Sequence, residues 1–183
     1  MLWGGQPNDS RSDERDELCL IDYIENNEIE SYEEFISVIY DLSPESVDLY
    51  DEMPNVSYFS IDIDYDNMVV AVTTISELSY GRAHGASNGA SKTYYASNGL
   101  KIFSVTVEGT FKYDTGYCTT MSSSGSFSRA LLSTWTSTPT ISQGNITTKK
   151  AYARISGTAT SGSSSISYTL TLTCDDSGNF SSY

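Results

Sequence analysis

Histidine is nearly missing from this chain of 183 residues: it occurs once, at His84. A Ser-His-Asp or Cys-His catalytic site would have to use that one residue. It stands in a Gly/Ser-rich stretch where no spacing singles out partners for it. Cysteine is scarce as well, with Cys19, Cys118 and Cys174 only. An odd number leaves at least one unpaired within the chain, and neither CxxC nor Cys/His spacing suggests structural zinc. No apolar run reaches the ~18 residues that a membrane-spanning helix needs. Phosphate-binding glycine loops, GxSxG elbows and HExxH helices are all missing. Met1–Ser10 carries neither the basic nor the apolar region of a signal peptide. An extracellular location therefore requires a leader already removed or never needed.

Basic residues are few, and their placement is uneven. Residues 1–81 hold twenty acidic side chains against Arg11 and Arg15, a net of −18; residues 82–183 hold eight basic against four acidic, a net of +4. The total of −14 argues against nucleic-acid binding by the whole chain, because phosphates are repelled. The asymmetry suggests an acidic tail or two parts that attract each other.

What is present divides the chain into parts. Residues 1–55 read as an acidic helical segment. Ser12 or Asp13 caps a first helix running to Asn26, with Leu18, Ile21 and Ile24 at helical spacing. Ser31-x-x-Glu34 is a capping box ahead of the apolar stripe Phe35, Ile36, Val38, Ile39 and Leu42. Ser43-Pro44-Glu45 opens a third short helix with Val47 and Tyr50 inward. Residues 56–80 form a strand pair and connector. Phe59, Ile61, Ile63 and Tyr65 alternate with polar residues, whereas Met68–Ile75 is a continuous apolar run that suits a strand covered on both faces.

Residues 81–91 read as a Gly/Ser-rich loop or linker. Residues 92–183 read as an antiparallel β-domain. Within it the Asn98-Gly99 turn, of type I′, separates Lys92–Tyr95 from Leu100–Glu108. One long strand bends at Gly109, and Asp114-Thr115-Gly116 turns. Phe127, Leu131 and Trp135 mark another strand, followed by Ile146–Ile155 and Ile166–Cys174. The fold class is α+β: a short acidic helical segment, then an antiparallel β-sandwich or partly closed barrel.

Three groups of residues carry candidate chemistry, each with an ordinary structural alternative. Asp62, Asp64 and Asp66 resemble the opening of a calcium loop, since three carboxylates can wrap one hard cation. However, the expected glycine is Asn67 and the twelfth position is Thr73, and the same residues fit a strand with one acidic face. No other cofactor is indicated. Trp135, Tyr94, Tyr95, Tyr117 and Tyr152 can stack on sugars or a protein partner, or simply pack across the sheet. Cys118 and Cys174 lie at strand ends in the β-part and either form a disulfide or remain two buried thiols.

Tyr94-Tyr95-Ala96-Ser97-Asn98-Gly99-Leu100, leading to Val107-Glu108-Gly109-Thr110-Phe111-Lys112-Tyr113, resembles uncharacterised small secreted proteins of Gram-positive bacteria. So do the closing Leu170-Thr171-Leu172-Thr173-Cys174-Asp175 and Gly178-Asn179. Those proteins similarly place a Glu-Glu-Phe and a Leu-Ser-Pro-Glu element before a β-domain, here Glu33-Glu34-Phe35 and Leu42-Ser43-Pro44-Glu45. The resemblance implies secretion and fold, not activity. The leading functional expectation is a secreted non-catalytic binding module for an extracellular protein or a cell-surface glycan. One alternative is a proprotein whose acidic segment masks a toxin-like or antibacterial β-domain. Another is a hydrolase using His84 or a carboxylate.

Overall fold

A computed structural model describes residues 19–46, 56–76 and 85–183. Two short helices, α1 (Leu20–Asn26) and α2 (Tyr32–Leu42), are followed by a 3-10 turn at Pro44–Ser46. The β-strands are β1 (Val56–Asp64), β2 (Val69–Ser76), β3 (Gly85–Ala96), β4 (Lys101–Asp114) and β5 (Tyr117–Arg129), then β6 (Thr140–Thr147), β7 (Lys150–Ser161), β8 (Ser164–Asp175) and β9 (Phe180–Ser182). All pairings are antiparallel, and strands follow chain order in a five-stranded sheet (β1–β5) and a four-stranded sheet (β6–β9). The two sheets stack as an open sandwich rather than a closed barrel. Strand β5 faces β6 and β7, β4 faces β7 and β8, and β3 faces β8.

The alternation along each strand sets the layers. In β4, Phe103, Val105, Val107 and Phe111 point into the sandwich; in β8, Ile166, Tyr168, Leu170, Leu172 and Cys174 meet them. Strand β2 is buried on both faces, as its unbroken apolar run requires. Val69 and Ala71 face the second sheet, whereas Val70 and Val72 face the helices. There they join Phe59, Ile61 and Ile63 of β1 and Leu20, Ile21, Phe35, Val38 and Ile39 of the helices. Ser31 accepts the Glu34 N–H at 3.1 Å and caps α2, and the Glu34 carboxylate reaches back past the cap to the Glu30 N–H at 3.0 Å. The described helices are thus bound to the sheet through an apolar face.

Several sequence expectations change. Residues 85–91, read as part of a loop, form the first half of β3. Central-strand backbone pairs on both sides, so the ladder supplies what the small side chains do not. Asn88 is buried there, and its Oδ1 accepts the Gly89 N–H at 2.8 Å. The Asn98-Gly99 turn is not type I′, because Gly99 alone has positive φ, +82°. Gly99 N–H donates to Ala96 O at 2.9 Å and Ala96 N–H to Leu100 O at 2.9 Å, the pattern of a three-residue loop ending in a left-handed glycine. A side chain at Gly99 would also press on Leu42.

Strand β4 does run unbroken through Gly109, but the irregularity lies at Thr110/Phe111, where Met121 of β5 is the extra residue. Gly109 instead leaves room for the Phe111 ring, which a Cβ would meet at 2.5 Å. Tyr65, expected on the buried face of β1, lies beyond its end, and its hydroxyl donates to Glu25 at 2.9 Å. Phe127 belongs to β5, whereas Leu131 and Trp135 lie in the crossover between the sheets. The Ile146–Ile155 run splits between β6 and β7, and β9 goes unanticipated. The third helix is a single 3-10 turn; Val47, Tyr50 and the Ser12/Asp13 cap lie outside the described residues.

Candidate functional site

At one end of the sandwich the chain leaves β5 and crosses to the second sheet. Ala130 N–H donates to Ile102 O at 3.1 Å, and Ser133 N–H donates to Ala130 O at 3.0 Å. The latter bond closes a β-turn with Leu131 and Leu132 at its corners. These are 97% and 84% exposed, the two most exposed large apolar side chains among the described residues. Thr136 and Thr160 then exchange backbone hydrogen bonds at 2.9 Å and anchor the crossover to β7.

Below this turn is a pocket of about 640 Å3. Its walls come from the crossover, the last residues of β5 and the first of β4, with Glu45 and Ser46 of the 3-10 turn along one side. Trp135 and Ile102 are half-buried in it, and Arg129 and Lys101 bring positive charge. The Trp135 ring lies 5.8 Å from Phe103, which stacks on Tyr94 at 4.4 Å and lies 5.2 Å from Phe127. Trp135 thus joins the pocket wall to the aromatic core behind it. Ser46 Oγ accepts the Lys101 N–H at 2.9 Å, so the helical segment is fastened to the pocket wall. Arg129 makes no ion pair with a described residue.

The five aromatic candidates do not converge. Only Trp135 lines the pocket. Tyr94 is buried in the sandwich core, and burial, reinforced by Asp62, Tyr168 and Asp64, holds its hydroxyl well above the usual phenol range. Tyr95 is buried on the other face of the sheet, edge-on to Phe35 at 5.4 Å. Tyr117 is exposed at the opposite end of β5, and Tyr152 on β7 carries Arg154 over its ring at 5.0 Å. One of the five lines the pocket and two are core.

The calcium expectation finds no geometry. Asp62 pairs with Lys92 at 3.3 Å, and Asp64 accepts from the Asn67 backbone and side chain at 3.1 and 2.7 Å, capping the β1–β2 turn. Extended backbone holds Asp62 and Asp64 two residues apart in β1, and Asp66 lies in the turn that follows. Among the described residues no three His, Cys, Asp or Glu side chains gather to hold a metal. His84 lies outside the described residues.

Cys118 and Cys174 are brought together at the far end of the sandwich as free, buried thiols. They come one from each sheet into the same core cluster, and the Cys174 thiol donates to Asp175 O at 3.5 Å. Burial raises both thiols above the ordinary range. Cys118 N–H donates to Thr148 O at 2.9 Å, and Thr120 Oγ1 donates to Tyr152 O at 2.8 Å, so β5 is stitched to the second sheet here. Asp175 beside them caps the β8–β9 turn. Burial raises its carboxyl, but hydrogen bonds from Asn179 and Ser177 and the charge of Lys150 outweigh this and leave it below the usual range.

No family model matches the chain, and no curated protein or solved structure matches it either. Among the described residues no helix is long and apolar enough to cross a membrane. Arg129, Leu131, Leu132 and Lys101 went unremarked in the sequence as site residues. Their signal is thin: two adjacent leucines, an arginine before them and a tryptophan after, in a stretch otherwise rich in serine and threonine.

Proposed function

We propose that this chain is a secreted, non-catalytic binding module whose ligand is a cell-surface molecule, held in the pocket beside Trp135. The observation that carries the reading is the pocket itself. It has small-ligand size, Trp135 on its wall backed by the aromatic core, and few charges, the usual composition of a binding site. Around it no nucleophile, base and orienting group are assembled among the described residues.

Secretion is inferred from the sequence resemblance alone. A Cys118–Cys174 disulfide belongs to the same proposal, since an oxidising compartment would act on two buried thiols of one core cluster, one from each sheet. The packing of the helices favours one working unit over a released β-domain. Removing them would expose Val70, Val72 and Tyr95, an apolar face of the sheet.

Screening the full chain against peptidoglycan, glycans and cell-envelope lipids by thermal shift tests the reading. A stabilising ligand whose effect disappears in Trp135→Ala is expected. A ligand whose effect survives that change would move the site elsewhere, and turnover of any screened compound would end the non-catalytic reading.

A further inference from the structure

We infer that the outer edge of β5 receives an extended segment of another protein, which pairs with it antiparallel as one more strand of the five-stranded sheet. This surface is separate from the pocket and does not depend on what the pocket binds.

The backbone decides the mode of binding. Ala130 N–H donates to Ile102 O, toward β4. Antiparallel pairing reverses that direction at each residue. The N–H and C=O groups of Ser123, Gly125 and Phe127 therefore point away from β4, and no backbone partner among the described residues meets them. At the other end of β5 the edge is already filled: Cys118 N–H donates to Thr148 O, and Cys118 O accepts from Asn145 Nδ2. A row of unpaired strand groups is a template for another strand. Natural edges are guarded by charge, proline, bulges or shortness. Strand β1 carries Asp62 and Asp64, and β9 has only three residues. From Ser122 to Ser128, β5 pairs regularly with β4 and has neither charge nor proline.

The second sheet decides the shape of the occupant. Strand β5 faces β6 as well as β7, so β6 runs out beneath the free edge. Ile141 of β6 stands opposite the fully buried Ile155 and points inward with it, yet it is 41% exposed. Strand β5 covers one flank of it, where a Cβ at Gly125 would lie 3.6 Å from Ile141 Cδ1. A strand laid along β5 covers the other flank and takes Ile141 out of water. Its side chains alternate between the two faces. Those toward β6 meet Ile141 and Phe127 and are apolar. Those facing out continue the row of Ser124 and Ser126 and are small and polar. The space admits one strand and not a second sandwich, because a second copy docking through its own β5 would bring its own β6, by the two-fold, into the same place.

The test uses the full chain, isotope-labelled, and an end-blocked peptide of alternating valine and threonine. Amide exchange is followed residue by residue. Two further peptides carry N-methyl groups, one on the valine amides and one on the threonine amides. In an antiparallel strand the valines that face β6 also point their N–H groups at β5. Saturable slowing of exchange at Ser123, Gly125 and Phe127 is expected. It should vanish with methylated valine amides and persist with methylated threonine amides. Ser123→Pro removes an edge donor and no bond to β4, and should weaken binding about tenfold. Ile141→Ser should weaken it about tenfold through lost apolar contact. Unchanged unfolding midpoints will show that both variants fold, and the methylated peptides need no variant at all. Equal binding of the two methylated peptides overturns the proposal, and so does absence of protection at these three amides by the unmethylated peptide. Slow exchange there in the dilute protein alone would mean that the edge is already covered, which also overturns it. Protection that grows with protein concentration alone would give the edge to a second copy, against the single strand inferred.

Discussion

The two ends of the sandwich are built from the same strands and differ in almost everything else. At the Cys118 end the sheets are sewn together. Asn145 Nδ2 donates to Cys118 O at 3.3 Å and Gly116 N–H donates to Asp176 at 3.2 Å across the sheets, Lys149 pairs with the same Asp176 at 3.5 Å, and two buried thiols lie in between. Short turns close this end, at Thr115-Gly116 and at Thr148-Lys149. At the Trp135 end one long crossover must carry the chain from one sheet to the other. It cannot pack tightly over both edges, so it leaves a pocket and lifts two leucines into water. One end contributes cohesion and the other contributes surface. Stability and binding are therefore separable, and each can be perturbed without the other.

The largest effect should come where the two roles meet. Phe103 is fully buried beneath Trp135, so Phe103→Ala should cost about 3–5 kcal/mol and lower the denaturant midpoint. If the loss stays under ~1 kcal/mol, the aromatic cluster behind Trp135 is not part of the core.

Oxidation sharpens the comparison from the other end. A Cys118–Cys174 bond, formed by exchange with a small disulfide such as oxidised glutathione, should add about 4 kcal/mol through the entropy of the loop it closes. Guanidinium unfolding with and without reductant reads this, and ligand binding at the Trp135 end should not change. Native-state alkylation of these two thiols should be slow, because burial keeps them protonated.

A smaller change tests the helical layer: Ser31→Ala removes the α2 cap and should cost about 1 kcal/mol. The smallest expected change is in the turn. Leu131→Ser with Leu132→Ser should shift stability by less than about 0.5 kcal/mol, because neither side chain has left water on folding. A large loss there would mean that the leucines pack in solution, and the contrast between the ends would collapse.

Much of the fold could be read directly. The cap at Ser31, the two-faced β2 and the alternation of Ile166, Tyr168, Leu170, Leu172 and Cys174 each follow from a period and a partner-free local rule. Gly85–Ala90 misled because small residues are common both in loops and in central strands, and only the neighbours β2 and β4 tell them apart. Tyr94 and Tyr95 are adjacent and identical in type, yet one fills the sandwich and the other the helix layer. Alternation predicts that they point opposite ways; it does not say that both faces are covered.

By itself, then, the sequence determined much of the local geometry: where α2 starts, which strands alternate and where glycine must turn the chain; it did not place the start of α1, which follows an extended Cys19. Those are properties of neighbours a few residues apart, and hydrogen bonding and side-chain direction settle them. Only the tertiary structure decided that Cys118 and Cys174 share one core cluster, that Asp62 meets Lys92, and that Arg129, Leu131 and Trp135 frame one pocket with Lys101. Such encounters depend on how two sheets stack and where a crossover runs. Burial of the whole apolar surface, not any single residue, selects that arrangement.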